Sequence, residues 1–213
     1  MYLPSHFEES RPEVLHQALH DHPLGLLITQ GADATSGLSA NPIPFMLDLE
    51  ADGARVLRGH VARANPLWRE ARRDADSLVV FQGPQAYISP SGYAAKAETG
   101  KVVPTWNYVM VQARGPLRVI DDAAWLHALV TRLTTRHEAA LKNPWAVSDA
   151  PDDYIATMLR AIVGIEITLT ALTGKWKVSQ NRSKADRDGV ARGLAQQQAG
   201  DDAAAMAALV LRP

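Results

Sequence analysis

Two short stretches gather the side chains with the most chemistry. GKWKVSQNR (174–182) sets Lys175, Lys177 and Arg182 beside Trp176, Gln180 and Asn181. HVARANP (60–66) sets His60, Ala62 and Arg63 ahead of Asn65 and Pro66. Asn65 suits a helix cap and Pro66 the first helical position. The free N–H groups of a helix start carry partial positive charge and favour a phosphate. Arg63, just upstream, can add a forked, charge-assisted contact to the same anion. Each stretch also has a plainer reading: a capped helix beside a solvated arginine, and a solvated basic turn.

Two further segments add polar groups at strand ends. LSANPIPF (38–45) puts Ser39 and Asn41 next to Pro42 and Pro44. Proline cannot donate to a ladder, so this is an edge or bulged strand whose free backbone groups can meet a flat heterocycle. VPTWNY (103–108) begins a strand with Trp106 and Asn107; the first suits a core, the second needs a polar partner if buried. His16 and His20 share a helix face with His22 nearby, but no carboxylate completes a metal-ligand spacing, so no metal site is expected. His60 either touches a ligand or is a satisfied barrel histidine. No nucleophile elbow, Walker loop or dinucleotide fingerprint is present, which argues against serine-nucleophile chemistry and nucleotide hydrolysis.

The elements that must position these residues are mostly strands. Short apolar runs at 24–30, 36–47, 54–61, 77–83 and 86–90 are split by Gly, Pro, Asn and Asp. A longer run, 106–120, carries Gly115–Pro116 in its middle, which predicts a bulge or bend. From 163 to 174 Val163, Ile165, Ile167, Leu169 and Ala171 alternate with Glu166, Thr168 and Thr170, the pattern of an antiparallel strand with one buried face. Three groups of helices flank them. Ser10 is the expected cap of the first, with Pro12 and Glu13 in its opening turn and Val14, Leu15, Ala18 and Leu19 as its stripe. Leu126, Leu129, Val130 and Leu133 mark a second over 121–137, and the Ala-rich tail reads as one or two more. The fold class is mainly β with flanking helices: an antiparallel, closed or nearly closed barrel with N-terminal, middle and C-terminal helices outside it. Residues 1–182 form the expected domain, and 183–213 a helical extension packed on it.

Apolar residues are 46% and charged residues 21% of the 213, the balance of a globular domain with a proper core. The formal net charge of −1 gives no whole-molecule attraction to nucleic acid or anionic lipid, so either would need a local patch. With no cysteine, disulfides, thiolate metal sites and cysteine nucleophiles are excluded. The N-terminus lacks the basic start and apolar core of a signal peptide, and no apolar run reaches membrane-spanning length. A cytoplasmic protein without membrane contact is the expectation.

The opening MYLPSHFE, then HVARANP, VPTWNY and GKWKVSQNR in this order, and the tail SKADRDGVARGL, resemble the PaiB family of FMN-binding negative transcriptional regulators. The likeness runs over essentially the full chain. It implies an FMN-binding split β-barrel that works as a homodimer, with the flavin near the subunit interface. Arg63 and the Asn65–Pro66 helix start, with Ala62 in the same motif, become the implied phosphate site. Ser39, Asn41 and Pro42 are then candidates for the flavin edge. His60, Trp106 and Asn107 are implied pocket linings, and Lys175, Gln180, Asn181 and Arg182 its closure, in part from the partner subunit. Binding of DNA has less support: no helix-turn-helix or basic recognition helix is recognisable, and Arg69, Arg72 and Arg73 are offset by Glu70, Asp74 and Asp76. The alternatives are a flavin-dependent oxidoreductase using NAD(P)H, with His60 and Tyr108 as candidate acids, and a haem-binding protein on the same barrel type.

Overall fold

The computed structural model describes residues 1–32, 37–196 and 200–212. Ser36, in the expected strand over 36–47, and Gln197 and Gln198, in the tail, lie outside the described residues. Along the chain come β1 (Glu8–Glu9), α1 (Pro12–Asp21), β2 (Leu24–Gln30), β3 (Leu38–Pro44), β4 (Met46–Leu49) and β5 (Arg55–Ala62). Then follow α2 (Leu67–Glu70), β6 (Asp76–Ile88), α3 (Ala95–Thr99), β7 (Thr105–Ile120) and α4 (Ala123–Glu138). The last are α5 (Asp152–Arg160), β8 (Ile162–Thr168), β9 (Ala171–Lys177), α6 (Lys184–Gln196) and α7 (Gly200–Leu211). Among the described residues no helix is long and apolar enough to cross a membrane. The chain divides into two compact units, one of Met1–His22, Phe81–Gln112 and Thr173–Pro213, the other of Pro23–Val80 and Ala113–Leu172.

In the second unit β2 pairs antiparallel with β3 along its whole length, from Leu24 opposite Pro44 to Gln30 opposite Leu38. β3 ends the strand order, which leaves Pro42 and Pro44 where a missing donor is tolerated. β5 lies between β4 and β8, and β8 between β5 and the end of β7. That register sets Arg58 and Arg118 on either side of Glu166. The expected single strand over 163–174 is two, because Leu169 and Thr170 leave the ladder and donate their N–H groups to the carbonyls of Arg55 and Arg114. Nor does β8 bury only one face: Gly164 and Glu166 are buried along with Val163, Ile165 and Ile167. α4 explains the Gly164 side, since a Cβ there would lie 2.3 Å from the Trp125 ring. Asp122 caps α4 by accepting the Trp125 N–H at 2.7 Å, and Leu126, Leu129 and Leu133 are buried as their spacing predicts. Gly115–Pro116 makes no bulge. Burial alternates without a slip from Asn107 to Leu117, and Gly115 is required because a Cβ there would stand 2.0 Å from the Thr168 carbonyl oxygen.

In the first unit β1 pairs with β9, Glu8 opposite Lys175 and Glu9 opposite Gly174. Ser10 does not cap α1. Arg11 holds the cap position without a side-chain bond, and its N–H goes to the Glu9 carboxylate at 2.9 Å. The expected runs at 77–83 and 86–90 join into the one strand β6, which passes through Pro84. Its buried positions shift from Phe81 and Gly83 to Ala86 and Ile88, the one-residue slip that a bulge absorbs. Ala86, Ile88 and Tyr93 form a core with Val190 and Leu194 of α6 and Ala203, Met206 and Val210 of α7. GKWK, expected after a strand end, lies inside β9.

Candidate functional site

The second unit holds the HVARANP residues. β5 delivers Arg58, His60 and Ala62 to one face by strand alternation. His60 is mostly buried, which pushes its pKa down, and its Nδ1 has no hydrogen-bond partner among the described residues. Ala62 is exposed. Arg63 is engaged within the unit: its Nη1 and Nη2 bond the Asp121 carboxylate at 2.9 and 2.5 Å. Its Nε and Nη2 also donate to the carbonyls of Arg160 and Ile162. Asn65 Oδ1 accepts the Leu67 N–H at 3.0 Å, but Pro66 takes the cap position and α2 is one turn long, too short for a developed dipole. Asn65 Nδ2 donates to Asn41 Oδ1 at 2.9 Å and Asn41 Nδ2 to Ser39 Oγ at 3.0 Å. Ser39, Asn41 and Asn65 thus form one amide–hydroxyl chain, and Pro42 stands exposed beside it.

The same unit satisfies its buried charges. Arg58 donates to Glu166, Asp48 and Glu50 at 2.8, 2.6 and 2.6 Å. Arg118 reaches the other Glu166 oxygen at 2.6 Å, and Arg132 of α4 binds Asp48. Burial raises the Asp48 pKa, but hydrogen bonds from Arg132 and Arg58 outweigh this and leave it below the usual carboxylate value.

Two lysines of the first unit are held differently. Lys175 is 7% exposed. Its Nζ donates to the Tyr2 carbonyl at 3.0 Å and lies 5.5 and 5.4 Å from the ring centroids of Tyr2 and Tyr108. Lys177, two residues on and so on the same face, donates to Thr105 Oγ1 and to the Trp106 carbonyl at 2.7 Å, its Nζ 6.0 Å from the Tyr108 ring. Burial lowers the Lys177 pKa; Tyr108 opposes this, while Lys175 and Arg182 add to it. Among the described residues neither ammonium has a carboxylate within ion-pair distance. Glu8, opposite Lys175 in the ladder, makes no such pair.

Trp106 and Asn107 leave β7 on opposite faces. Asn107 is 1% exposed and its Nδ2 donates to buried Ser179 Oγ at 2.9 Å, whereas Trp106 is 54% exposed. Ser179 holds a positive φ of 63°, which an L-residue seldom adopts. Gln180 braces that turn, its Oε1 accepting the Val178 N–H and its Nε2 donating to the Trp176 carbonyl. Asn181 is exposed. The Arg182 guanidinium lies 4.9 Å from the centroid of buried Tyr93. Trp176 packs over Gly174, where a Cβ would stand 2.7 Å from the indole.

Trp106 and Lys175 line an open groove of about 570 Å³ together with Tyr2, Tyr108, Met110, Gln82 and Gln85. Tyr87 meets the Trp106 ring edge-on at 6.0 Å. Three aromatic rings, two carboxamides and a buried ammonium offer stacking surface and directed hydrogen bonds to a flat, polar ligand. Tyr108 and Met110 escaped the sequence as lining residues although the two-residue strand period counted from Trp106 finds them. Tyr2 and Gln82 carry no local signal, because β1–β9 pairing and the β6 slip decide where they fall.

Comparison with known proteins adds a family. The chain matches the model described as "Putative FMN-binding domain" over residues 1–171. It is 36% identical to an uncharacterized protein of Emericella nidulans, over 100% of this chain and 96% of that one. It is 30% identical to the Protease synthase and sporulation protein PAI 2 of Bacillus subtilis, over 87% of this chain and 85% of that one. Among solved structures it is similar to the FAD and heme binding protein from Mycobacterium smegmatis, with a TM-score of 0.53 and 15% identity over 80% of this chain and 73% of that one.

Proposed function

Because the chain belongs to the FMN-binding domain family, the PaiB family its motifs resemble, and is an FMN-binding split-barrel protein, we propose that its flavin lies in the groove of the first unit. The observation that carries this is the grouping of Trp106, Tyr108 and a 7%-exposed Lys175 around one cleft of about 570 Å³. Its size suits a cofactor with a tricyclic ring. Gln82 and Gln85 supply donors and acceptors for the polar edge of that ring, and Trp106 the stacking surface. When bound, the flavin supplies the redox chemistry itself; the chain binds it, orients it and controls its access to water. Purified protein should show a flavin absorption spectrum or bind FMN in a fluorescence titration. Unchanged FMN affinity in Trp106→Ala would remove the groove from the site.

The protein is further proposed to act as a cytoplasmic homodimer. Exposed Tyr2, Tyr87 and Trp106 support the dimer, since clustered apolar rings mark interaction surfaces. A monomer in light scattering with FMN bound would overturn it. A regulatory role is supported by the name of the Bacillus subtilis relative, which ties that protein to protease synthesis and sporulation. A salt-dependent shift of a promoter fragment would support it. Consumption of NAD(P)H without such a shift would replace it with the oxidoreductase reading.

A further inference from the structure

We propose that a second cleft of the first unit binds a small alkylated ammonium ion, independently of where the flavin lies. The cleft measures about 340 Å³ and shares Trp106 and Gln85 with the larger groove. Tyr87 and Trp106 form its corner, their centroids 6.0 Å apart and their planes inclined at 69°. Ala86, Leu194 and Ala203 give it an apolar floor that belongs to the core shared with α6 and α7. Among the described residues Asp202, in the first turn of α7, supplies its only charge. A carboxylate so placed ordinarily accepts from the free N–H groups of the helix start. Asp202 accepts no hydrogen bond and makes no ion pair among the described residues.

Two ring faces and an unengaged carboxylate together select a cation. The rings attract it through their quadrupoles, tryptophan most strongly. The carboxylate adds Coulomb attraction and repels phosphates and carboxylates. Rings and methyl groups offer no hydrogen-bond acceptor, so a bare ammonium or a guanidinium would leave donors unpaired against them. Alkyl groups on the nitrogen remove those donors and pack on Ala86, Leu194 and Ala203. The Gln85 amide is then free to meet a polar tail, and the volume suits a quaternary ammonium with a short body. The larger groove, lined by Lys175, repels the same ligand, so the two clefts select opposite charge.

Choline is the probe, and its uncharged carbon isostere, with the same shape, is the control. In calorimetric titrations of the purified protein choline should bind in the millimolar range. It should bind roughly five- to thirtyfold tighter than the isostere, the worth of cation–π contacts and an exposed ion pair. That advantage should shrink as salt is raised. Asp202→Asn should weaken choline by roughly three- to fivefold and leave the isostere unchanged. Tyr87→Leu should remove most of the remaining advantage. Choline should bind as well to protein saturated with FMN. Equal affinity for choline and the isostere would overturn the assignment, as would choline binding that survives both substitutions. Displacement of choline by FMN would also overturn it, by placing both in one groove. Protein that takes up choline but no FMN would remove the flavin reading and leave this one standing.

Discussion

Two clusters, the Glu166 network of the second unit and the β9 lysines of the first, handle charge in opposite ways. In the second, Arg58, Arg118 and Arg132 meet Glu166, Glu50 and Asp48, so every cation of the cluster has a carboxylate. Among the described residues, Lys175 and Lys177 of the first are held by rings, a hydroxyl and carbonyls. A closed network of the Glu166 kind fixes strand register and the docking of α4. An open pair carries an electrostatic cost that no carboxylate among the described residues offsets. Matched charge marks architecture here, and the unmatched Lys175 lines the groove proposed for the flavin.

The strongest way to break the matched cluster is Glu166→Ala, which strips a carboxylate from both Arg58 and Arg118. It should destabilise the fold by about 1.5–3 kcal/mol, the loss of hydrogen bonds to a charged group, since Arg58 keeps Asp48 and Glu50, as read by urea denaturation. A loss under 1 kcal/mol would show that the network is not structural. Gly115→Ala tests the same sheet without touching charge. Its Cβ would meet the Thr168 carbonyl at 2.0 Å, and a loss of about 1–3 kcal/mol is expected from overpacking. Trp106→Ala should do the reverse of both, leaving the melting temperature unchanged while weakening FMN by roughly tenfold, about 1.4 kcal/mol. Smallest are two pH effects. Asp48 has a lowered folded pKa, so its contribution is present above the unfolded value near 4 and is lost as pH falls through the folded one. Lys177 has a lowered pKa, so its charge opposes folding, and stability should rise as pH climbs from the folded value towards the unfolded one at about 10.4.

Elements governed by local chemistry were legible in the sequence. β2, β5 and α4 follow from alternation, punctuation and heptad-like spacing, and their ends fall within a residue or two of those expected. What failed was non-local. Glu166 looks like the solvent face of a half-buried strand until Arg58, 108 residues away, reaches it. The break at Leu169–Thr170 depends on carbonyls of β5 and β7, whereas α5 was missed although Tyr154, Ile155, Met158 and Leu159 recur at helical spacing. The site divides in the same manner. Residue type pointed to Trp106 and Lys175, but nothing local distinguishes Arg63, which is paired, from Lys177, which is not. Asp121 lies 58 residues from Arg63, and only folding brings them together. Asn107 and Gln180, both read as ligand contacts, are found bracing the chain around Ser179.

The most direct test of the contrast is the FMN dissociation constant of Lys175→Gln, measured beside the melting temperature of its flavin-free form. The predicted result is an affinity weakened by roughly tenfold or more, with a melting temperature equal to or above that of the wild type, because an uncompensated buried charge has been removed. A variant that melts lower yet binds FMN as tightly as the wild type would contradict it, and would make Lys175 part of the architecture.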